Sequence, residues 1–421
     1  MKKKTLITIT LFLLIFILAG SFLFIKNARE NRSWPFNSSL SNYLPKSIKY
    51  FAYKFTNPDQ SILETYFYDL SIDYYSIPSS NSVGNGGGLD VFDEKNMLTV
   101  LDNGEIFLFD SQNLKFNKIK HSKLEKNYAS IRDIYYKNNE LLVLAVKKTN
   151  NEDCSIIIVD RYLKANDSEN KTSLNFSKTI WSSENLCEDT LVNNAGGRII
   201  KFRDKIYIST GYFTPYINSG INAFPQNKDS SFGKILEIDN QGKGNIYSMG
   251  HRNPQGLFLY DDDQIISSEH GPRGGDELNL IEKNKNYGWP CETQGTLYSY
   301  ENTGLKKEIW LDAKQLKNYG CNQIDNYTKP LYSWTPSIAA SQAIQYQGDY
   351  FDIFKRNIIL GSLGGLSLFR IILEDKKIIN IERINVNERI RDIAETYDGK
   401  IMLYTDGGNV VLLSKSSEKI K

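Results

Sequence analysis

From residue 88 onward, short apolar runs alternate with polar turns along the chain. A first run ends on an aromatic residue, a turn follows, and a second apolar run begins. The aromatic and its turn are Phe92 with Asp93-Glu94-Lys95, Tyr136 with Lys137-Asn138-Asn139, and Phe202 with Arg203-Asp204; the same unit recurs as Tyr260 with Asp261-Asp262-Asp263, Tyr346 with Gln347-Gly348-Asp349, and Tyr397 with Asp398-Gly399. The second runs are MLTVL, ELLVLAV, KIYIST, QIISS, NIILGSL and KIMLYT. Their β-branched content and their bounding turns predict strands. Third runs such as EIFLFD, CSIIIVD, KILEID, LSLFRIIL and NVVLLS follow several of them. Six antiparallel units with unequal connections predict a six-bladed β-propeller, with a many-hairpin β-sandwich as the alternative.

The chain begins differently. Residues 6–25 are 20 consecutive positions without a charge, preceded by Lys2, Lys3 and Lys4. That length suits an N-terminal transmembrane helix. Ala19-Gly20-Ser21 offers a cleavage site, which would make the run a removed secretory signal. Either reading exports the remainder. The expected organisation is a signal anchor over residues 1–29, a stalk or small cap over 30–84, and the propeller over 85–415.

Composition sharpens this in two places. A net charge of +2 argues against nucleic acid as a partner, and 12% aromatic with 40% apolar residues argues against disorder. The four cysteines, Cys154, Cys187, Cys291 and Cys321, form an even set, which in an exported domain suggests disulfides. Of the three possible pairings, Cys154–Cys187 and Cys291–Cys321 are favoured because each closes a local loop; free buried thiols are the alternative. No CxxC or His-rich spacing suggests zinc.

Candidate chemistry concentrates in residues 250–290, GHRNPQGLFLYDDDQIISSEHGPRGGDELNLIEKNKNYGWP. Two of the three histidines, His251 and His270, lie here beside Gly271, Pro272, Gly274 and Gly275. Glycine lets backbone approach a ligand closely. Residues 256–260 and 264–268 read as strands joined by the turn 261–263. The flanking polar segments become loops at one end of a sheet, where sites usually lie.

This string resembles the signature of the quinoprotein sugar dehydrogenases, the glucose/sorbosone dehydrogenase family, whose members use pyrroloquinoline quinone (PQQ) and have six-bladed propellers. The resemblance covers about residues 88–415. It implies an oxidoreductase acting on the anomeric hydroxyl of an aldose sugar, with calcium beside PQQ and a periplasmic electron acceptor such as a cytochrome. Residue by residue, it implies that Arg252 and Asn253 of HRNPQG contact PQQ. It further implies that the carbonyls of Gly271 and Pro272 hold the PQQ-linked calcium, and that Asp276 lies near it. Glu277 and Tyr287 fall where some members place ligands of a second calcium. Arg389 and Arg391 of ERIRDIAETYDGK match two arginines that bind PQQ carboxylates, and residues two apart on a strand face the same way. Trp334 matches an aromatic lining the active site.

The departures are as specific. The family's catalytic histidine opens a His-x-x-Gly-Arg string, and here Asn194 holds that position ahead of Gly197-Arg198. An amide cannot usefully accept a proton near neutral pH. Tyr212 stands where the family usually has Asp, and Gly364 replaces a cofactor-binding lysine. The alternative these departures raise is a propeller that binds a sugar, a quinone or a protein without turnover. The expected location is outside the cytoplasm, membrane-anchored or secreted.

Overall fold

The computed structural model describes residues 62–79, 86–122, 128–149, 154–166, 171–187, 195–212, 224–295, 321 and 326–418. Asn194 and residues 6–25 lie outside them. The described chain begins with β1 (Ile62–Glu64) and β2 (Tyr68–Ser76). Blade one is β3 (Gly87–Val91), β4 (Asn96–Leu101), β5 (Ile106–Asp110) and β6 (Lys115–Lys118). Blade two is β8 (Ser130–Lys137), β9 (Glu140–Lys148), β10 (Ser155–Asn166) and β11 (Thr172–Ser182), edged by β7 (Lys120–His121). Blade three holds β12 (Gly196–Phe202), β13 (Lys205–Thr210), β14 (Lys234–Ile238) and β15 (Gly244–Met249). Blade four holds β16 (Pro254–Tyr260), β17 (Gln264–Glu269), β18 (Asp276–Ile281) and β19 (Tyr332–Trp334). Blade five holds β20 (Ala340–Gln345), β21 (Ile358–Ser362), β22 (Ser367–Glu374) and β23 (Lys377–Asn385). Blade six is β24 (Ile390–Glu395), β25 (Ile401–Thr405) and β26 (Asn409–Glu418), completed by β2 and β1.

The first strands β3, β8, β12, β16, β20 and β24 each neighbour the next, and β24 returns to β3. The ring closes, which makes the fold a six-bladed propeller rather than a sandwich. Each of the six aromatic-and-turn units joins the first two strands of one blade.

The apolar runs lack polar alternation because both faces of each sheet are covered. In β9, Leu141, Val143 and Ala145 join the apolar cluster shared with blade one, while Leu142, Leu144 and Val146 join the one shared with blade three. A period of two sends alternate side chains to opposite neighbours. Six such clusters lie between the six pairs of adjacent blades.

One boundary differs from the sequence reading. Residues 62–76, expected in a stalk or cap, are strands of blade six: β2 pairs antiparallel with β26 from Tyr68↔Glu418 to Ser76↔Asn409. The N-terminal side of the domain thus closes the ring against its C-terminal strand. Residues 30–61 lie outside the described residues. Among the described residues no helix is long and apolar enough to cross a membrane. Both favoured disulfides are formed, Cys154–Cys187 and Cys291–Cys321.

Candidate functional site

The HRNPQG segment leads into β16, and the EHGPRGGDE segment connects β17 to β18. Their residues line a single pocket, with Gly250, Arg252, Glu269, His270, Gly271, Glu277, Trp289 and Glu292 in its wall. Arg252 is the centre of this wall. Its guanidinium lies 5.2 Å from the Trp289 ring and 5.5 Å from the Tyr212 ring. Its backbone N–H donates to Glu269 Oε2 at 2.9 Å, and Nη1 donates to the His270 carbonyl at 3.0 Å. Among the described residues, Arg252 Nε is buried without a hydrogen-bond partner, and so are Trp289 Nε1 and His270 Nε2. Three unpartnered buried nitrogens in one pocket wall are costly unless a ligand satisfies them.

Buried polar bonds hold this wall. His251, fully buried, places Nε2 2.8 Å from Ser248 Oγ and Nδ1 3.3 Å from Glu269 Oε1, and its ring stacks on Tyr287 at 4.7 Å. Burial, opposed by Asp276 and assisted by Arg252 and Arg391, pushes the His270 imidazole down to about 4. It is therefore neutral at pH 7. Burial and the neighbouring Glu269 push Glu277 up to about 8.

The glycine loop is folded back on itself. A Cβ at Gly271 would lie 2.2 Å from the Gly274 carbonyl oxygen and 2.3 Å from that of Gly275, so only glycine fits. Asp276 braces this loop. Its Oδ1 accepts the Gly271 N–H at 3.0 Å, and its Oδ2 accepts Ser337 Oγ–H and the Ile338 N–H, both at 2.8 Å. The Tyr287 hydroxyl is engaged at the end of β18, donating to the Leu280 carbonyl and accepting the Glu282 N–H at 3.0 Å. Among the described residues no group of three or more His, Cys, Asp or Glu is arranged to hold a metal ion. A calcium held by the Gly271 and Pro272 carbonyls does not require one.

Asn253 acts one strand away. Its Oδ1 accepts the Gly196 N–H at 3.0 Å and Gln255 Nε2–H at 2.9 Å. It thereby fixes the start of β12, two residues after Asn194. Arg132 reaches the same place from β8, donating Nε and Nη2 to the Gly196 carbonyl at 3.2 and 3.1 Å. A Cβ at Gly197, where φ is +107°, would lie 2.5 Å from Arg132 Cβ. Burial and Arg391 lower Arg132 to about 10.

Beneath this floor, Arg198 ties the inner strands together. It donates Nε to the Gln255 carbonyl and Nη2 to the Arg391 carbonyl, both at 2.6 Å, and its Nη1 lies 2.9 Å from Asp133 Oδ1 and 3.3 Å from Asp392 Oδ1. Burial lowers the Arg198 pKa, but Asp392 and Asp133 more than offset it, so the guanidinium stays charged.

Two sequence-predicted residues have other neighbours than expected. The Trp334 ring packs in the apolar layer between blades four and five, 6.1 Å from Phe369. Its carbonyl accepts the Gly275 N–H at 2.7 Å, so it supports the glycine loop through backbone. Arg389 and Arg391 do converge, despite an irregular register between Ile390 and Asp392, but on Asp406 of the chain itself. The sequence reading missed Arg132 and Trp289. The GWP of residues 288–290 was visible, but nothing local marks its tryptophan as the plate beneath Arg252.

Residues 85–414 match the Glucose / Sorbosone dehydrogenase family, and the chain belongs to it. Aldose sugar dehydrogenase YliI of Escherichia coli (strain K12) is 29% identical over 53% of this chain and 60% of its own length. Quinoprotein glucose dehydrogenase B of Acinetobacter calcoaceticus is 29% identical over 44% of this chain and 48% of its own. The matches thus span about half the length of these curated relatives. The PQQ-bound form of Aldose Sugar Dehydrogenase from Streptomyces coelicolor shares the fold, with a TM-score of 0.58 at 19% identity over 82% of this chain and 98% of that one.

Proposed function

We propose that this protein is a PQQ-dependent sugar oxidoreductase that oxidises the anomeric hydroxyl of an aldose to a lactone. The observation that carries the reading is the set of unpartnered buried nitrogens, Arg252 Nε, Trp289 Nε1 and His270 Nε2, in one pocket wall. Two of them are obligate donors, which suits a planar ligand bearing carboxylates and carbonyls. The names of the quinoprotein and PQQ-bound relatives support the same cofactor. When bound, PQQ would supply the two-electron acceptor and calcium a Lewis acid beside it.

The chain's own residues would do the rest. Arg252 would hold a ligand carboxylate while Tyr212 and Trp289 shield its guanidinium from water. Gly271 and Pro272 would offer carbonyl oxygens to calcium, with Glu277 close by in the same wall. Asn194 can orient a sugar hydroxyl but cannot take its proton. That residue supports a second reading, a propeller that binds its ligand without turnover.

The reading places the propeller outside the cytoplasm, held by residues 6–25 as a membrane anchor or secreted after their removal. The two disulfides support an oxidising compartment. Electrons would then leave to a periplasmic acceptor such as a cytochrome.

A dye-linked assay tests the activity. Protein loaded with PQQ and calcium should reduce an artificial acceptor when given aldoses, and Arg252→Ala should abolish this. PQQ-loaded protein that oxidises no aldose contradicts the enzymatic reading and favours binding alone.

A further inference from the structure

The two arginines matched to ligand carboxylates already hold a carboxylate of this chain. Arg391 donates Nε to Asp406 Oδ1 at 2.8 Å and Nη2 to Oδ2 at 3.1 Å. Arg389 donates Nε to the same Oδ2 at 3.0 Å and Nη1 to the Leu363 carbonyl at 3.1 Å. Asp406 sits in the turn between β25 and β26, and its own N–H is held by the Arg389 carbonyl at 3.0 Å. The Arg391 and Asp406 side chains are only 8% and 11% exposed, so water screens the pair poorly. Arg252 is the contrast: its Nε is buried and unpartnered.

We propose that Asp406 is an internal counter-ion that sets the anion affinity of the site, occupying the Arg389/Arg391 half and leaving Arg252 as the anchoring cation. The inference rests on the PQQ reading for the identity of the ligand. A ligand carboxylate approaching Arg391 must share its fork with Asp406, and two carboxylates on one guanidinium repel. Replacing Asp406 by a neutral residue leaves Arg391 charged and uncompensated in a poorly hydrated place, a state that an incoming anion relieves. Asp406 would thus restrain binding of a carboxylate-bearing cofactor. A residue present only to brace the turn would have the opposite effect on removal, since a loosened site binds less well.

The test is a PQQ titration with calcium present, followed by cofactor absorption, in four proteins: wild type, Asp406→Asn, Arg391→Ala and the double variant. Asp406→Asn should bind PQQ at least about tenfold more tightly, with the gain shrinking in high salt. Arg391→Ala should bind at least about tenfold more weakly, because Asp406 then faces the ligand uncompensated. The double variant should recover most of that loss, and since it removes both charges together it also serves if Asp406→Asn folds poorly. Binding by wild type with no gain in Asp406→Asn, or a double variant as weak as Arg391→Ala, overturns the inference alone. Folded wild type and Asp406→Asn that both fail to bind PQQ overturn the PQQ reading and this inference with it.

Discussion

Arg198 and Asp133 form an ion pair between inner strands of the propeller, Nη1 to Oδ1 at 2.9 Å, with side chains 2% and 3% exposed. The same guanidinium reaches Asp392 on β24 and the carbonyls of Gln255 and Arg391. One buried cation thus spaces β24, which carries Arg391, from β16, the strand that Arg252 precedes by two residues. Removing it leaves two carboxylates buried together. Arg198→Met should cost about 3–5 kcal/mol in urea unfolding, the usual cost of breaking a buried pair. A loss under about 1 kcal/mol contradicts this role.

Trp289 separates two contributions to the site. Trp289→Phe keeps a ring under Arg252 and removes only Nε1–H. It should leave stability nearly unchanged and weaken PQQ binding by about 1 kcal/mol, the worth of one lost hydrogen bond. Unchanged affinity in the folded variant would show that Nε1 does not face the ligand.

Asp90 gives the fold a pH dependence. Its Oδ2 accepts the Tyr136 N–H at 2.6 Å and its Oδ1 the Val91 N–H at 2.8 Å, linking blades one and two. Burial, opposed by those two N–H groups and reinforced by Asp392, pushes its carboxyl up to about 7. The unfolded chain gives up this proton near 4, whereas the native protein keeps it to about 7. Native protein therefore binds more protons between those values, and the Asp90 contribution to stability falls as pH rises through that window. Asp90→Asn removes the slope, so the substitution should destabilise more at pH 5 than at pH 8, by a difference on the order of 1–2 kcal/mol. Equal costs at both pH values, measured by urea unfolding, contradict the raised carboxyl.

Asn194 bears on turnover. A positioned base typically contributes about 10²–10⁴-fold to proton removal. Wild-type oxidation of aldoses should therefore be slow even with PQQ and calcium bound. Asn194→His should raise it, with a pH profile rising through roughly the imidazole value of ~6.5. Fast wild-type oxidation would mean that another group accepts the proton. No gain in PQQ-bound Asn194→His favours the binding-only reading.

The blades were legible because their turns are local chemistry. Asn138 and Asn139, Arg203 and Asp204, and Asp261 and Asp262 all have positive φ, the conformation of two-residue hairpin turns that match strand twist. Those residues follow an aromatic and precede an apolar run, so each hairpin announces itself. Closure of the ring did not, because β2 finds its partner β26 at the far end of the chain, and a strand's pattern does not name its neighbour.

At the site, the glycine loop and HRNPQG were legible as strings, since close backbone approach restricts what residues can stand there. The partners of single side chains were not. Arg389 and Arg391 match arginines that bind ligand carboxylates, and Asp406 supplies a carboxylate from a separate turn. Asp276 reads as a metal-side acid in sequence but spends both oxygens on bracing the loop. Trp334 and Trp289 are alike in sequence, but Trp334 ends β19 with its ring in the apolar layer between blades four and five, whereas Trp289 lies in the connection from β18 to β19, beneath Arg252.

The measurement that bears most directly on the central claim is equilibrium binding of PQQ to purified protein with and without calcium, read by cofactor absorption and by thermal unfolding. The account predicts calcium-dependent uptake of one PQQ per chain, with an unfolding temperature that rises as PQQ is added and binding lost in Arg252→Ala. Folded protein that takes up no PQQ in the presence of calcium, with no shift in unfolding, would contradict it.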